Sequence, residues 1–184
     1  MLEIRPLRTS DTALYRFMEE LLTSAFPAGE YRDLQQLRTL TDRSERFRNH
    51  VVLDGPTPVG LVSWWEFDAF RYVEHLAVAP TCRNAGYGHR IVERLCESSP
   101  MPVVLEVELP ADELAARRIG FYRREGFVLW ENDYVQPPYR PGDPPLPMYL
   151  MVHGPLDADR DFETVRQTIH RAVYGYPTPE STGK

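Results

Sequence analysis

Residues 72–95 read YVEHLAVAPTCRNAGYGHRIVERL. Tyr72–Val78 is rich in strand-forming residues and is stopped by Pro80, so it reads as a strand. Ile91, Val92 and Leu95 fall at helical spacing, so about Gly86–Glu97 reads as a helix. The loop between them holds Arg83-Asn84-Ala85-Gly86-Tyr87-Gly88, with two glycines two apart where the helix begins. Glycines there let the backbone come close to a ligand. The first helical turn offers unpaired N–H groups and a partial positive charge, which together suit a phosphate. Arg83 adds a full positive charge. A diphosphate cradle is one reading of this loop; a plain loop-to-helix turn is the other. Spacing excludes two rival phosphate motifs. No GxxxxGK followed by Ser or Thr is present, and Gly86-x-Gly88 runs into His89-Arg90-Ile91 rather than completing GxGxxG.

Working outward, Leu2–Arg8 alternates apolar and polar residues like a half-buried strand. Ser10 or Asp11 can cap the helix carrying Leu14, Phe17, Met18, Leu21 and Leu22, which Pro27 and Gly29 end. A second helix is expected over Tyr31–Leu40. Val51–Leu53, the turn Asp54-Gly55-Pro56 and Val59–Phe67 read as a hairpin. Pro102–Val107 is nearly all apolar, as expected of a strand buried on both faces. A helix over about Asp112–Arg124, weakened by Gly120, ends at Gly126. Two strands follow, from Phe127–Trp130 and Met148–Val152, separated by a proline-crowded loop. Phe162, Val165, Ile169 and Val173 mark a last amphipathic helix. Residues from Gly175 on read as frayed. This order predicts an α/β (α+β) fold with a central mixed, mostly antiparallel sheet and helices on both faces.

The chain has 184 residues, 42% hydrophobic, with a formal net charge of -6. One domain with a real core fits that size. The acidic balance argues against a nucleic-acid partner, and it weakly favours a cationic amine. No run approaches the roughly 18 apolar residues of a membrane span. The polar start MLEIRPLRTSDTALY does not read as a signal peptide, so a cytoplasmic location is the default expectation. Cys82 and Cys96 form no CxxC and have no histidine cluster beside them, so no metal is expected.

Residues 72–95 resemble the cofactor-binding motif of the GNAT (Gcn5-related) N-acetyltransferase superfamily. That motif is a strand ending in hydrophobic residues, then Arg/Gln-x-x-Gly-x-Gly/Ala, then a helix. Here these are Leu76-Ala77-Val78, Arg83–Gly88 and His89–Leu95. A second signature matches as Val103–Val107 followed by Gly120-Phe121-Tyr122-Arg123-Arg124-Glu125-Gly126-Phe127. The resemblance covers residues 2–153 and implies an acyl-CoA N-acyltransferase fold. It implies a GNAT domain over 1–153, with a helical extension and tail over 154–184. It implies acetyl-CoA as co-substrate and an amine of a small molecule or peptide as acceptor. Leu76, Ala77 and Val78 would meet the pantetheine arm. Arg83, Asn84, Ala85, Gly86, Tyr87, Gly88 and His89 would bind the pyrophosphate. Tyr122 matches a position where relatives place a general acid, and Glu74 one where several place the base.

Each position has a plainer competitor. Tyr122 could be a packed helix aromatic, and Glu74 a solvated residue or a partner of Arg71 or Arg90. Strand alternation would put His75 on the face opposite Glu74. Glu106 and Glu108 share one strand face; Glu106 could bind the amine or pair with an arginine. Arg117-Arg118 could reach phosphates or lie on a solvated face. Tyr134, Tyr139 and Arg140 could line the acceptor pocket, or the proline-rich loop could be rigid structure or a docking ligand. Many relatives carry an Asn seven residues before the tyrosine, where this chain has Ala115. That departure leaves open an inactive acyl-CoA-binding regulatory module. A nucleotide binder is a third possibility, and the last helix could pair two copies as a homodimer.

Overall fold

A computed structural model describes residues 1–177. The elements run β1 (Leu2–Pro6), α1 (Thr12–Ala25), α2 (Leu34–Arg43), β2 (Phe47–Asp54), β3 (Thr57–Glu66) and β4 (Arg71–Val78). They continue with α3 (Tyr87–Glu97), β5 (Val103–Glu108), α4 (Glu113–Arg124), β6 (Val128–Gln136), β7 (Leu146–His153) and α5 (Ala158–Ala172). This is the order the sequence predicts, with several elements a few residues longer or shifted. The expected fraying falls partly on residues 178–184, which lie outside the described residues.

The strands form one sheet in the order β1-β2-β3-β4-β5-β7-β6. Every pairing is antiparallel except β4 with β5. Side-chain alternation sorts the core onto two faces. Val51, Leu53, Leu61, Tyr72 and Val104 pack under α1, α2 and α5. Val52, Val62, Val73 and Leu105 pack with Ile91, Val92 and Leu95 of α3 and Ile119 of α4. Helices therefore cover both faces. The segment expected as a C-terminal extension is continuous with this core, because Val165, Ile169 and Val173 bury in the same cluster as Met18 and Leu37.

Two irregularities shape the middle of the sheet. The parallel pairing of β4 and β5 stops after Arg71↔Val103, Tyr72↔Val104 and Val73↔Leu105. Beyond it the strands part, and the first residues past the fork are Glu74 and Glu106. The register of β4 against β3 also slips there: Ser63 pairs with His75 and Trp64 with Val73, leaving Glu74 as a bulge. A bulge bends its strand and reverses which face the later residues point to. Tyr72 and Ala77 accordingly reach the same core cluster across an odd spacing. The same slip overturns the expected placement of His75. Its Nε2 meets the Glu30 carbonyl at 2.9 Å, and its ring lies against Phe26, so it shares a face with Glu74.

Candidate active site

The fork opens into a cleft of about 510 Å³ lined by Val73–Val78 on one side and Leu105, Glu106 and Glu108 on the other. Arg83 and Tyr122 line it from the α3 and α4 side, and Glu30, Gln136 and Tyr139 from the opposite side. Strands that part in mid-sheet leave backbone N–H and C=O groups unpaired, and a ligand can take them.

At one end lies the loop before α3. Asn84 has φ 63° and Gly86, the N-cap of α3, has φ 77°. Left-handed residues in quick succession turn several N–H groups the same way and make an anion-binding concavity. Asparagine tolerates that conformation; at Gly86 the missing side chain also leaves open space, since a Cβ there would meet no atom within 4 Å. The concavity continues into an eleven-residue helix whose dipole favours an anion. Arg83 is exposed, and its Nε donates to the Val78 carbonyl at 3.3 Å. His89 Nδ1 meets Glu125 Oε2 at 2.7 Å, and that bond and charge raise the imidazole's pKa. Tyr87 donates to Asp54 Oδ2 at 2.7 Å, which ties the loop to the β2–β3 turn and leaves its backbone N–H as the group for a phosphate. The ring of Phe121 lies about a van der Waals contact from where a Cβ on Gly88 would sit. These residues fit a coenzyme A pyrophosphate.

At the other end, the two glutamates of the fork have opposite surroundings. The Glu74 side chain is fully covered. It pairs with Arg32, accepts from Trp65 Nε1 at 3.0 Å and accepts from the Tyr139 hydroxyl at 2.8 Å. Burial pushes its pKa up, but the charges of Arg32 and His75 and the hydrogen bonds from Trp65 and Arg32 outweigh it, so the carboxyl sits below its ordinary value. The expected partners Arg71 and Arg90 are not used. Arg71 instead reaches Glu66, Ser98 and the Leu95 carbonyl, and Arg90 lies over the Tyr87 ring.

Glu106 has no cation paired with it among the described residues. It accepts from Tyr134 at Oε1 and from Tyr174 at Oε2 (2.8 Å), and Tyr174 is in turn 3.2 Å from the Tyr72 hydroxyl. The arginine considered as its partner is therefore replaced by a ring of phenols. Burial pushes the Glu106 carboxyl up to about 7, against the pull of those hydroxyls, and the charge of Glu74 adds to the rise. Glu108, two residues on, is half-exposed and held by Arg118 at 2.7 Å.

Tyr122 packs edge-on against Phe121 and Phe127, and its hydroxyl makes no hydrogen bond among the described residues. Burial raises its pKa to about 12, so it is a proton-bearing donor at the cleft wall. Ala115, the expected departure from the family pattern, is buried. The proline-rich loop closes over the end of the cleft at Glu74, through Tyr139. Arg140 donates to the Ala28 carbonyl and lies over the Tyr31 ring, 5.5 Å from its centre.

Arg32, Trp65 and Tyr174 were not singled out from the sequence. The one signal for them is indirect, since a carboxylate inside an apolar strand demands buried partners. Nothing local says which residues these are.

A sheet forked between its fourth and fifth strands, with a helix-start phosphate cradle at one end, defines an acyl-CoA N-acyltransferase fold. Comparison with known proteins is in accord. Residues 45–129 match the family described as Acetyltransferase (GNAT) domain. A solved structure of a candidate GNAT acetyltransferase from Bacteroides thetaiotaomicron is 54% identical, with a TM-score of 0.93, over 95% of this chain and 99% of that one. The chain belongs to the GNAT acetyltransferase family. YjbC of Bacillus subtilis (strain 168), named as a candidate acetyltransferase, is 29% identical over 117 residues; the match spans 59% of this chain and 55% of YjbC. NAA60 of Arabidopsis thaliana, solved in complex with acetyl-CoA, shares the fold at 17% identity and a TM-score of 0.58, over 83% of this chain and 98% of that one.

Proposed function

We propose that the protein transfers the acetyl group of acetyl-CoA to the amine of a small molecule or peptide by direct attack, with Glu106 as base and Tyr122 as acid. The observation that carries this reading is the fork itself, which sets a phosphate cradle and a near-neutral carboxyl at two ends of one cleft.

The N–H groups from Asn84 to His89 hold the pyrophosphate, and the unpaired edge of Leu76–Val78 holds the pantetheine arm. An alkylammonium has no lone pair to attack with until it loses a proton. Glu106 takes that proton, directly or through a water. A base with a pKa near 7 is half-charged at neutral pH and strong enough to share the proton. Glu74 is less suited to the role, because the Arg32 guanidinium favours its charged form and holds its carboxyl below the ordinary value, which makes it a weaker base. Its part is to fix the floor of the acceptor end. As the nitrogen bonds to the carbonyl carbon and the carbon–sulfur bond breaks, Tyr122 donates to the departing sulfur. Holding the two reactants in one cleft supplies much of the rate.

The test is thiol release from acetyl-CoA against a panel of small amines and peptides. Turnover with at least one acceptor is expected. Tight coenzyme A binding with no turnover over a broad panel would instead describe an acyl-CoA-binding regulatory module.

A further inference from the structure

We propose that the acceptor is a small molecule with two cationic nitrogens, the second held within the cleft by Glu30 and Gln136. This rests on the transferase reading above.

The argument is a charge balance within one cleft. Its lining carboxylates are Glu30, Glu74, Glu106 and Glu108, and its lining guanidiniums are Arg83 and Arg118. Glu108 is matched by Arg118, and Glu74 by Arg32 from behind. Arg83 stands at the phosphate end. Two of these carboxylates make no ion pair among the described residues, Glu106 and Glu30. Glu30 sits in the short turn after α1, half-buried, and its carboxylate has no hydrogen-bond or ion-pair partner among the described residues. Burial raises its pKa and the charge of Glu108 adds to that; the charge of Arg118, which is paired with Glu108, offsets only part, so a bound cation would relieve the rest.

An independent observation points to a ligand in the same cleft. Gln136, at the end of β6, is 3% exposed and lines the cleft. Its Oε1 is buried with no partner. A buried amide oxygen without a donor loses its hydration with nothing in return, so such atoms are uncommon unless something fills the gap. An ammonium offers three N–H donors, enough to serve an amide oxygen and a carboxylate together. Size supports a small acceptor: about 510 Å³ must hold the acyl end of coenzyme A as well. The clasp of Arg140 on Ala28 and Tyr31 roofs the acceptor end.

The experiment compares diaminoalkanes of three to six carbons with the matching monoamines, by thiol release and by calorimetric titration into coenzyme A-saturated protein. At least one diamine should exceed its monoamine tenfold or more in kcat/KM. Glu30→Gln should bring that ratio close to one, chiefly through KM. Gln136→Leu, which removes an unpartnered amide at similar volume, should lower it in the same direction. Equal kcat/KM for diamines and monoamines, or a ratio that survives both substitutions, overturns the proposal. The two readings fail separately. No thiol release from any amine, with diamine binding that weakens in Glu30→Gln, leaves this site standing and removes the transferase reading. Monoamine turnover with no detectable diamine preference does the reverse. Absence of both release and diamine binding overturns both.

Discussion

The phosphate end of the cleft comes from one run of chain, Val78 to His89, whereas the acceptor end gathers Arg32, Trp65, Glu74, Glu106, Tyr139 and Tyr174 from segments spread over the whole sequence. The first end works mainly through backbone geometry. The second works through buried charge. Lesions at the two ends should therefore differ in kind. Damage at the phosphate end stays local, and damage at the acceptor end reaches the stability of the fold.

The largest expected effect is at Arg32. Arg32→Met leaves Glu74 charged, covered and without its cation. Removing one partner of a buried pair typically costs about 3–5 kcal/mol. Urea unfolding should show a loss of that order at pH 8. The sign with pH follows from the lowered pKa of Glu74 in the intact pair. The pair's contribution is present above the ordinary carboxyl value of 4.5 and is lost as pH falls through the lowered one. The gap between wild type and variant should accordingly narrow in acid. An unchanged unfolding free energy at pH 8 would mean that the acceptor end is not held by this pair.

A smaller and more confined effect is expected at Gly86. Its φ of 77° suits glycine, and a β-branched side chain there is strained by about 1–2 kcal/mol. No protein atom opposes the new side chain, which would occupy the cradle instead. Gly86→Val should weaken coenzyme A binding by roughly tenfold or more, about 1.4 kcal/mol or more, while acceptor-end variants leave it nearly unchanged. Calorimetric titration with coenzyme A distinguishes the cases. Equal loss from both classes of variant would erase the contrast between the two ends.

The same division governs what the sequence discloses. The order of strands and helices follows from local periodicity, and so does the phosphate loop, because all its parts are neighbours in the chain. The bulge at Glu74 does not follow. Alternation assigns His75 to the wrong face because one extra residue reverses the pattern beyond it, and the residue types in β4 do not announce a bulge. The partners of Glu74 and Glu106 are hidden for another reason. That a carboxylate beside Val104 and Leu105 needs donors is legible; that they are Tyr134 and Tyr174 depends on where β6 and the end of α5 pack. The base role expected of Glu74 is proposed instead for Glu106 on the same grounds: side-chain identity at the fork is readable, but the cation that lowers the Glu74 pKa lies 42 residues away.

The most direct test is the pH dependence of kcat/KM in wild type and Glu106→Gln. Glu106 faces Tyr72 and Glu74 from β4, Tyr134 from β6, Tyr139 from the β6–β7 loop and Tyr174 beyond α5. Of these, only the carboxyl of Glu106 has a pKa near neutrality, at about 7. The wild-type profile should rise with pH through a limb near 7, apart from any higher limb due to the acceptor amine. In Glu106→Gln that limb should vanish, and the rate at pH 8 should fall by about 10²–10⁴-fold. A limb near 7 that persists in Glu106→Gln at an undiminished rate would contradict the assignment of Glu106 as base.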